Sequence, residues 1–347
     1  GRHPNQVTFT SQLEEDLKRR DFTINAMAYN DEERLVDTFG GMRDLNYHLI
    51  RCVGDPKERF SEDALRILRA VRFSAQLAFP IEPETAEAIK SLAPNLEKIS
   101  AERIQTELVK LLVSDHPERI QDACELGITK VILPEWDAMV GVKQKTPHHK
   151  YDVAAHTLHA LRNVKNDKVL RLTMLFHDMG KPVMMTTDEN GRDHFKGHAI
   201  ASEEIARTVM KRLKFDNDTL RKVTKLVAYH DYRMEPTGAN VRRAMHLIGV
   251  ELFPYYLAVR LADTKAQSAY KRREKLENII QIRELYQNAL RNRECVDLKD
   301  LAVTGTDLIH LGMTPGKELG TVLNELLDVV IEDPAWNQKE KLCDYVK

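Results

Sequence analysis

Cysteine is scarce in this sequence. Its 347 residues contain four, Cys52, Cys124, Cys295 and Cys343, and no two of them form a CxxC pair. Paired cysteines are the usual sign of a zinc cage, and regularly spaced even sets indicate a disulfide framework. The scattered positions argue against both kinds of site. They fit the reducing cytoplasm, where we expect this protein to be located.

Long apolar runs and an excess of one charge are also missing. No run approaches the roughly 18 apolar residues that span a bilayer, and no signal peptide is visible, so we expect no membrane partner. With 52 basic and 53 acidic residues, the net charge of −1 gives no general attraction to nucleic acid. An RNA-binding surface must therefore come from local clusters of basic residues.

The sequence does contain the composition of a globular protein and a mostly helical periodicity. It is 42% hydrophobic and 30% charged, as in ordinary folded domains. Apolar spacing of three and four residues predicts helices at 61–77, 84–92, 101–113 and 117–126. Residues 13–29 also have helical spacing, whereas 7–10 and 34–37 are strand-like. We expect a mainly α fold with a small α/β part at the N-terminus.

Proline and capping residues divide this pattern into four predicted regions. Residues 134–136 and 143–147 form a predicted linker. In the tail, Thr314-Pro315 and Asp333-Pro334 each place a capping oxygen before a proline and predict helix starts. The predicted regions are a small α/β part at 1–45, a helical part at 46–140, a second helical part with most of the histidines at 145–290, and a helical tail at 291–347.

The predicted helix at 61–77 carries a charged face. With Ser61 as the N-cap and 100° per residue, one half of the helix presents Asp63, Arg66, Arg69 and Arg72. The opposite half presents Ala64, Ile67, Leu68 and Val71, which should face the core. One explanation is an ordinary solvated surface with pairs of opposite charge at helical spacing.

Nucleotide recognition is the alternative explanation for this face. A carboxylate only accepts hydrogen bonds and a guanidinium only donates them. Cytosine and adenine both present an amine donor beside a ring-nitrogen acceptor, so Asp63 and Arg66 can satisfy either base. Uracil and guanine reverse this polarity and leave buried partners unpaired, at about 1–3 kcal/mol per group. The remaining arginines suit a triphosphate.

Four motifs in order carry a family resemblance. They are RRDFTINA at 19–26, DTFGGMRDL at 37–45, EDxxR at 62–66, and RxxxE at Arg103 and Glu107. Together they resemble the class II tRNA nucleotidyltransferases, the family of CCA-adding enzymes and bacterial poly(A) polymerases. The resemblance implies a nucleotidyltransferase head ending near residue 45 and an RNA-binding neck and body at 46–140. It also implies tRNA, CTP and ATP as partners. The implied nucleotide-binding residues are Arg20, Asp63, Arg66, Arg69 and Arg72.

This family also carries a GGxVRD turn and a DxD carboxylate pair upstream of the RRDFTINA motif. Neither lies ahead of Arg19 in these residues. Nucleotidyl transfer uses such a pair to hold Mg²⁺ against the triphosphate and the attacking hydroxyl. Asp21 and Asp37 are not a pair on one strand. We therefore expect this polypeptide alone not to add nucleotides.

A second constellation follows at 170–182, where a predicted buried helix stops at Gly180 and Pro182. His177 and Asp178 then lie in its last turn. A carboxylate there opposes the helix dipole unless a cation lies beside it. Any single histidine is more often a packed or exposed residue than a ligand. With His156 upstream and Asp263 downstream, however, the set is similar to the H…HD…D signature of the HD phosphohydrolase superfamily.

This second resemblance implies an HD domain at 145–290 with a divalent metal. Two imidazoles and two carboxylates suit Mn, Ni, Fe or Mg better than a thiolate-type zinc site. Asp178 and Lys181 would be catalytic, with Lys181 neutralising a substrate phosphate. In related enzymes the HD domain is associated with phosphatase and 2′,3′-cyclic phosphodiesterase activity. The implied metal ligands are His156, His177, Asp178 and Asp263, with His198 and His230 as ligands of phosphate or a second metal.

The tail adds a weaker resemblance. Residues 303–309 and 312–320 are similar to the C-terminal module of HD-containing CCA-adding enzymes. A helix start with Lys317 in its first turn can receive a tRNA phosphate, although plain helix capping explains the same residues.

Synthesis and repair of the tRNA CCA end is the leading hypothesis. The alternatives are an A-adding poly(A) polymerase, a stand-alone metal phosphohydrolase and a non-catalytic tRNA-binding protein. Incorporation of CTP separates the first two, and metal analysis with phosphatase assays separates the last two.

Overall fold

Helices dominate the fold because apolar residues recur every three or four positions along most of the chain. The computed structural model describes residues 13–32 and 34–347. Within them, helices alternate with two small two-stranded sheets, so the predicted mainly α fold with a small α/β part is confirmed. The strand predicted at 7–10 lies outside the described residues. No helix in the described part is long and apolar enough to cross a bilayer.

Two compact units make up the fold. The first runs to Ala228 and includes Lys265–Ser268, and the second comprises Tyr229–Thr264 and Ala269–Lys347. The four regions predicted from the sequence divide the chain differently and stay predictions.

The first unit begins with short elements. In β1 (Ala28–Asn30) and β2 (Arg34–Val36) the strands pair antiparallel, with Tyr29 opposite Leu35. The helices of its first half are α1 (Leu13–Lys18), α2 (Gly41–Asn46), α3 (Pro56–Glu62), α4 (Leu65–Leu77), α5 (Pro83–Leu92), α6 (Ala101–Leu112), α7 (Ile120–Glu125), α8 (Thr129–Ile132) and α9 (Pro134–Asp137).

The second half of this unit packs further helices around a small hairpin, β3 (Thr186–Thr187) and β4 (Asp193–His194). Its helices are α10 (Val153–Arg162), α11 (Lys168–Phe176), α12 (Lys181–Met184), α13 (His198–Arg212) and nearly all of α14 (Asn217–Tyr229). Gly180 allows α12 to approach α13 closely. A Cβ there would lie 2.5 Å from the His198 carbonyl oxygen and from the Ser202 nitrogen.

The second unit is also helical. It contains α15 (Gly238–Ile248), most of α16 (Phe253–Ala266), α17 (Arg272–Arg291), α18 (Gly305–His310), α19 (Lys317–Glu332) and α20 (Lys339–Val346). A core cluster joins the last three helices to the preceding loop, with Leu308, Leu326 and Leu342 almost fully buried. Thr304 and Asp307 form a reciprocal capping box at the start of α18, which satisfies two helix-end donors.

Several predicted helix boundaries are wrong, for local reasons. The helix predicted at 13–29 ends at Lys18, because the Asp21 side chain accepts the Phe22 amide and Phe22 takes an extended conformation that pairs with Cys52. In the tail, Asp333 does cap a 3-10 helix, Pro334–Trp336. Thr314-Pro315 does not start a helix, since α19 begins at Lys317 after Gly316.

The predicted linker is also wrong as a description of residues 134–147. Pro134 begins α9, and Trp136 within it is fully buried. Gln144 is 7% exposed and contacts the interior of the first unit through its side chain. A segment anchored in this way is part of the packed unit rather than a flexible connection.

Two of the cysteines are buried thiols. Burial raises the pKa of Cys52 to about 12 and that of Cys295 to about 11. Both groups therefore stay protonated at neutral pH, and a protonated thiol is neither a good nucleophile nor a metal ligand.

Candidate functional site

The single helix predicted at 61–77 is interrupted at Asp63, and the arginines of its charged face all lie on α4. The chain leaves α3 at Asp63, which has φ −144° and ψ 101°, and α4 begins two residues later. Ser61 therefore lies inside α3, whose N-cap is Asp55, and the prediction of one helix capped by Ser61 is wrong. The apolar half was predicted correctly, because Ile67, Leu68 and Val71 are buried.

A pocket of about 460 Å³ opens beside this break. That volume lies in the range of small-molecule sites in proteins. Five of its lining side chains are arginines, which gives the pocket an excess of positive charge suited to a triphosphate. The lining residues are Arg19, Arg20, Asp21, Asn25, Asp63, Leu65, Arg66, Arg69 and Arg103.

Arg66 is held in the pocket by acceptors on two sides. Its Nη1 donates to the Arg59 carbonyl at 3.0 Å and lies 2.8 Å from Glu62 Oε2. Its Nη2 donates to the Arg19 carbonyl at 2.9 Å. Two backbone carbonyls from different segments thus fix the plane of the guanidinium, and a fixed donor loses little conformational freedom when a ligand binds.

Asp63 is fixed from the other side of the pocket. Its Oδ1 accepts the Leu65 amide at 3.1 Å, and its Oδ2 accepts Arg103 Nη2 at 2.7 Å. Each carboxylate oxygen has a further lone pair. Asp63 can therefore accept an amine hydrogen from a ligand while it remains bound to Arg103.

Asp21 and Asn25 are pocket residues that sequence reasoning missed as site residues. Asp21 is 7% exposed, and its Oδ2 lies 2.5 Å from Arg69 Nε. Its Oδ1 lies 3.4 Å from Asn25 Nδ2. Both residues belong to the RRDFTINA motif, so the signal was present, but nothing in the spacing of that motif indicates that it faces Arg69 on α4.

Arg20 and Arg72 are placed differently, although both were predicted to bind the nucleotide. Arg20 lines the pocket and pairs with Asp16 at 3.0 Å on the surface. Arg72 is 8% exposed and does not line this pocket. Its Nε lies 2.9 Å from Glu107 Oε2, and its guanidinium stacks on Phe73 at 3.9 Å.

The Arg72–Glu107 pair is buried between α4 and α6. Burial lowers the pKa of the Arg72 guanidinium, and the Glu107 carboxylate opposes this shift. The RxxxE motif therefore holds α4 at two points. Arg103 contacts Asp63 at the start of α4, and Glu107 contacts Arg72 one turn before its end.

We predict that Arg72 stabilises the fold rather than binding nucleotide. Glu107→Leu leaves the buried Arg72 charge without its carboxylate, which costs about 3–5 kcal/mol of unfolding free energy. Arg72→Met leaves Glu107 with Lys110 alone, 3.5 Å away, and should cost less. The double variant removes both charges and should lose less than the sum of the two. Urea unfolding of the three variants measures this. A loss of CTP binding by folded Arg72→Met, without loss of stability, would contradict the prediction.

The second candidate centre lies where α10 and α11 meet. His156 on α10, His177 at the end of α11 and the adjacent Asp178 are each at most 1% exposed, and one ligand atom from each lies within 4.8 Å of the others. Asp178 Oδ2 is 3.2 Å from His177 Nε2 and 3.5 Å from His156 Nε2, and the two nitrogens are 3.4 Å apart. Donors about 2.1 Å from a shared ion have similar separations.

Backbone carbonyls orient the imidazoles of this cluster. His177 Nδ1 lies 2.7 Å from the Met174 carbonyl oxygen, so Nδ1 donates and Nε2 faces Asp178. His198 has the same arrangement, with Nδ1 2.8 Å from the Phe195 carbonyl oxygen and Nε2 3.5 Å from Asp178 Oδ1. Electron-rich atoms that converge in this way, with backbone carbonyls holding the rings, fit a divalent cation.

Lys181 completes this part of the site. Its ammonium lies 2.7 Å from Asp178 Oδ2 and donates to Gln144 Oε1 at 2.7 Å. Two acceptors at this distance provide hydrogen-bond partners for an ammonium that is only 4% exposed to solvent.

The structure brings together five of the residues predicted for the HD site: His156, His177, Asp178, Lys181 and His198. The other two belong to the second unit. His230 is buried just after α14 ends, and Asp263 is half-buried within α16. Their ligand roles stay predictions. Lys317 is the first residue of α19, and its contact with tRNA stays a prediction as well.

Family models match three parts of the chain. The model described as "Poly A polymerase head domain" matches residues 1–51. The model described as "Probable RNA and SrmB- binding site of polymerase A" matches residues 78–140. The model described as "tRNA nucleotidyltransferase domain 2 putative" matches residues 197–346.

Whole proteins are similar over nearly the full chain. A CCA-adding enzyme of Levilactobacillus brevis is 34% identical over 98% of this chain and 74% of its own length. A CCA-adding enzyme of Streptococcus pyogenes is 33% identical over 95% of this chain and 71% of its own length. The crystal structure of the Bacillus stearothermophilus CCA-adding enzyme in complex with CTP is 26% identical, with a TM-score of 0.72, and covers 98% of this chain and 75% of that one.

Proposed function

The chain belongs to the family of CCA-adding enzymes, and we propose that it completes tRNA 3′ ends by adding C and A from CTP and ATP. The observation that carries the proposal is the pocket in which Asp63 and Arg66 are both held in place. Nucleotide addition in this family uses a divalent metal, generally Mg²⁺.

Asp63 and Arg66 act together as a template for the base. The carboxylate accepts from the exocyclic amine of cytosine or adenine, and the guanidinium donates to the adjacent ring nitrogen. Because Arg103 and two backbone carbonyls hold this pair before the ligand arrives, a base of opposite polarity cannot be accommodated by rotating the side chains. Arg69 and Arg20 on the pocket wall then neutralise phosphate oxygens.

Labelled-nucleotide incorporation tests this function. The substrate is a tRNA that ends at the discriminator base, offered CTP, ATP or both. The protein should add C, C and A to this tRNA in order, and omitting Mg²⁺ should stop incorporation. Addition of A alone would favour the poly(A) polymerase alternative.

The cluster around Asp178 supports a second activity, hydrolysis of phosphate esters. His156, His177 and Asp178 would hold a divalent ion, with Asp263 as the further ligand implied by the resemblance. Imidazole and carboxylate donors suit Mn, Ni, Fe or Mg. Such an ion supplies a water molecule acidified enough to attack phosphorus at neutral pH.

The remaining residues of this site bind and orient the substrate. The Lys181 ammonium neutralises a phosphate oxygen, and His198 Nε2 is directed at the same region. On a 2′,3′-cyclic phosphate, hydrolysis forms one P–O bond to water and breaks one to the ribose oxygen. The proton from water ends on the released hydroxyl, and a phosphomonoester remains.

Metal removal tests this second activity. The purified protein should contain one divalent ion per chain and hydrolyse 2′,3′-cyclic AMP. Treatment with a chelator should abolish hydrolysis, and adding back Mn²⁺, Ni²⁺, Fe²⁺ or Mg²⁺ separately should restore it and identify the effective metal. Protein that binds none of these ions would exclude the proposal without affecting nucleotide addition.

A further inference from the structure

Residues 142–151, which we call the strap, join α9 to α10 beside the His–Asp cluster. The sequence VKQKTPHHKY contains three lysines and two histidines and no acidic residue. The side chains of Lys143, Lys145 and Lys150 are all exposed. The Lys150 ammonium lies over the Tyr151 ring, 5.4 Å from its centroid.

The strap backbone is nevertheless fixed in place. The Lys145 amide donates to Asp193 Oδ2 at 2.7 Å, and Asp193 is 2% exposed. Further along, Ser268 binds two strap carbonyls. Its hydroxyl donates to Pro147 at 2.6 Å, and its amide donates to His148 at 2.9 Å. The lysine side chains therefore project from an ordered segment.

Two strap residues also contact the phosphohydrolase site directly. Gln144 Oε1 accepts from Lys181 Nζ at 2.7 Å, and Gln144 Nε2 donates to the Tyr151 carbonyl at 3.2 Å, which sets the orientation of the amide. The His149 ring lies edge-on to His156, with centroids 5.3 Å apart. The basic segment is thus continuous with the metal site.

This arrangement has an electrostatic consequence. Exposed cations attract a polyanion, and each phosphate they neutralise releases a condensed counterion. A mononucleotide has only the phosphate that enters the metal site. An RNA chain has further phosphates on the nucleotides before its end, and these can reach the strap.

We propose that the strap binds the phosphodiester backbone of an RNA whose terminal phosphate is hydrolysed at the His–Asp site. This inference rests on the phosphohydrolase activity proposed above. It identifies the substrate class as RNA ends with a terminal or 2′,3′-cyclic phosphate, in preference to free nucleotides.

Steady-state kinetics on two substrates tests the proposal. One is a short RNA ending in a 2′,3′-cyclic phosphate, and the other is 2′,3′-cyclic AMP. In the triple variant Lys143→Gln, Lys145→Gln and Lys150→Gln, we expect KM for the RNA to rise about tenfold. The salt slope of log kcat/KM should weaken by about two, since each lysine–phosphate contact on a single strand contributes about 0.7. The constants for cyclic AMP should not change.

A matched control makes the same charge change elsewhere in the first unit, with Lys165→Gln, Lys168→Gln and Lys211→Gln. It should retain wild-type kinetics on both substrates. Wild-type protein that hydrolyses neither substrate would refute the proposed phosphohydrolase function. If the wild type hydrolyses both substrates but the strap variant keeps the wild-type RNA preference and salt slope, the strap inference is wrong and the phosphohydrolase function still stands. An equal loss on both substrates would also overturn the strap inference, because it would show a purely structural role.

Discussion

Asparagine in place of Asp63 is expected to weaken strongly the preference of this protein for CTP and ATP over UTP and GTP, while Arg66 still opposes the ring N–H of uracil and guanine. The carboxylate offers only acceptors, whereas an amide offers one acceptor and one donor and can present either to the ligand. Uracil and guanine, whose edge oxygens need a donor, then find one. Each mismatched buried group costs about 1–3 kcal/mol in the wild type, so about 5- to 150-fold of discrimination should be lost.

Equilibrium dialysis with the four labelled nucleoside triphosphates measures this preference. The matched control is Asp55→Asn, the same change at the N-cap of α3, outside the pocket lining. Asparagine caps helices about as well as aspartate, so this variant should keep both stability and base preference. An unchanged ratio of the four affinities in Asp63→Asn would show that Asp63 does not read the base.

The apolar half of α4 could be predicted from the sequence, but the position of Asp63 could not. Ile67 and Val71 follow the helical period, and that local signal decides which side is buried. Asp63 leaves the helix because its carboxylate accepts the Leu65 amide and binds Arg103, which lies forty residues further along the chain. A periodicity argument contains no information about such a distant partner.

Arg72 illustrates the same limit for charged residues. On a helical wheel it lies with Asp63, Arg66 and Arg69, and the wheel does not show that α6 covers its position. Glu107 binds Arg72 in the interior. Arg72, which the helical wheel places among the ligand-binding residues, is therefore buried. Only the packing of α6 on α4 distinguishes the buried Arg72 from Arg66 and Arg69, which line the pocket.

The meeting of His156, His177 and Asp178 was easier to predict than the order of the strap beside them. His177 and Asp178 are adjacent in sequence, and their motif restricts which elements can meet. Residues 143–147 of the strap were predicted to belong to a linker. Its order depends on Asp193 and Ser268, which are distant in sequence, and neither belongs to a recognisable motif.

Asp178→Asn is expected to remove the bound metal and at least about 100-fold of the phosphohydrolase activity. Even residues that only support a metal ligand change affinity or activity by about 10- to 100-fold when replaced, and Asp178 lies at the centre of the cluster. Its Oδ2 contacts His177, His156 and Lys181, so no other side chain can take over its position. Metal analysis and hydrolysis of 2′,3′-cyclic AMP provide the two measurements.

Two further variants separate loss of the metal from loss of the fold. Asp178→Asn also leaves the buried Lys181 without its carboxylate, which lowers stability by itself. His177→Gln keeps the Asp178–Lys181 pair, so it should lose the metal with little change in thermal unfolding.

Asp188→Asn makes the matched substitution on the exposed hairpin, where Asp188 contacts His194, and should retain metal and activity. Base preference at the nucleotide pocket should stay at the wild-type value in all three variants, because none of Asp178, His177 and Asp188 lines that pocket. Full hydrolysis by metal-free Asp178→Asn would assign the activity to other residues.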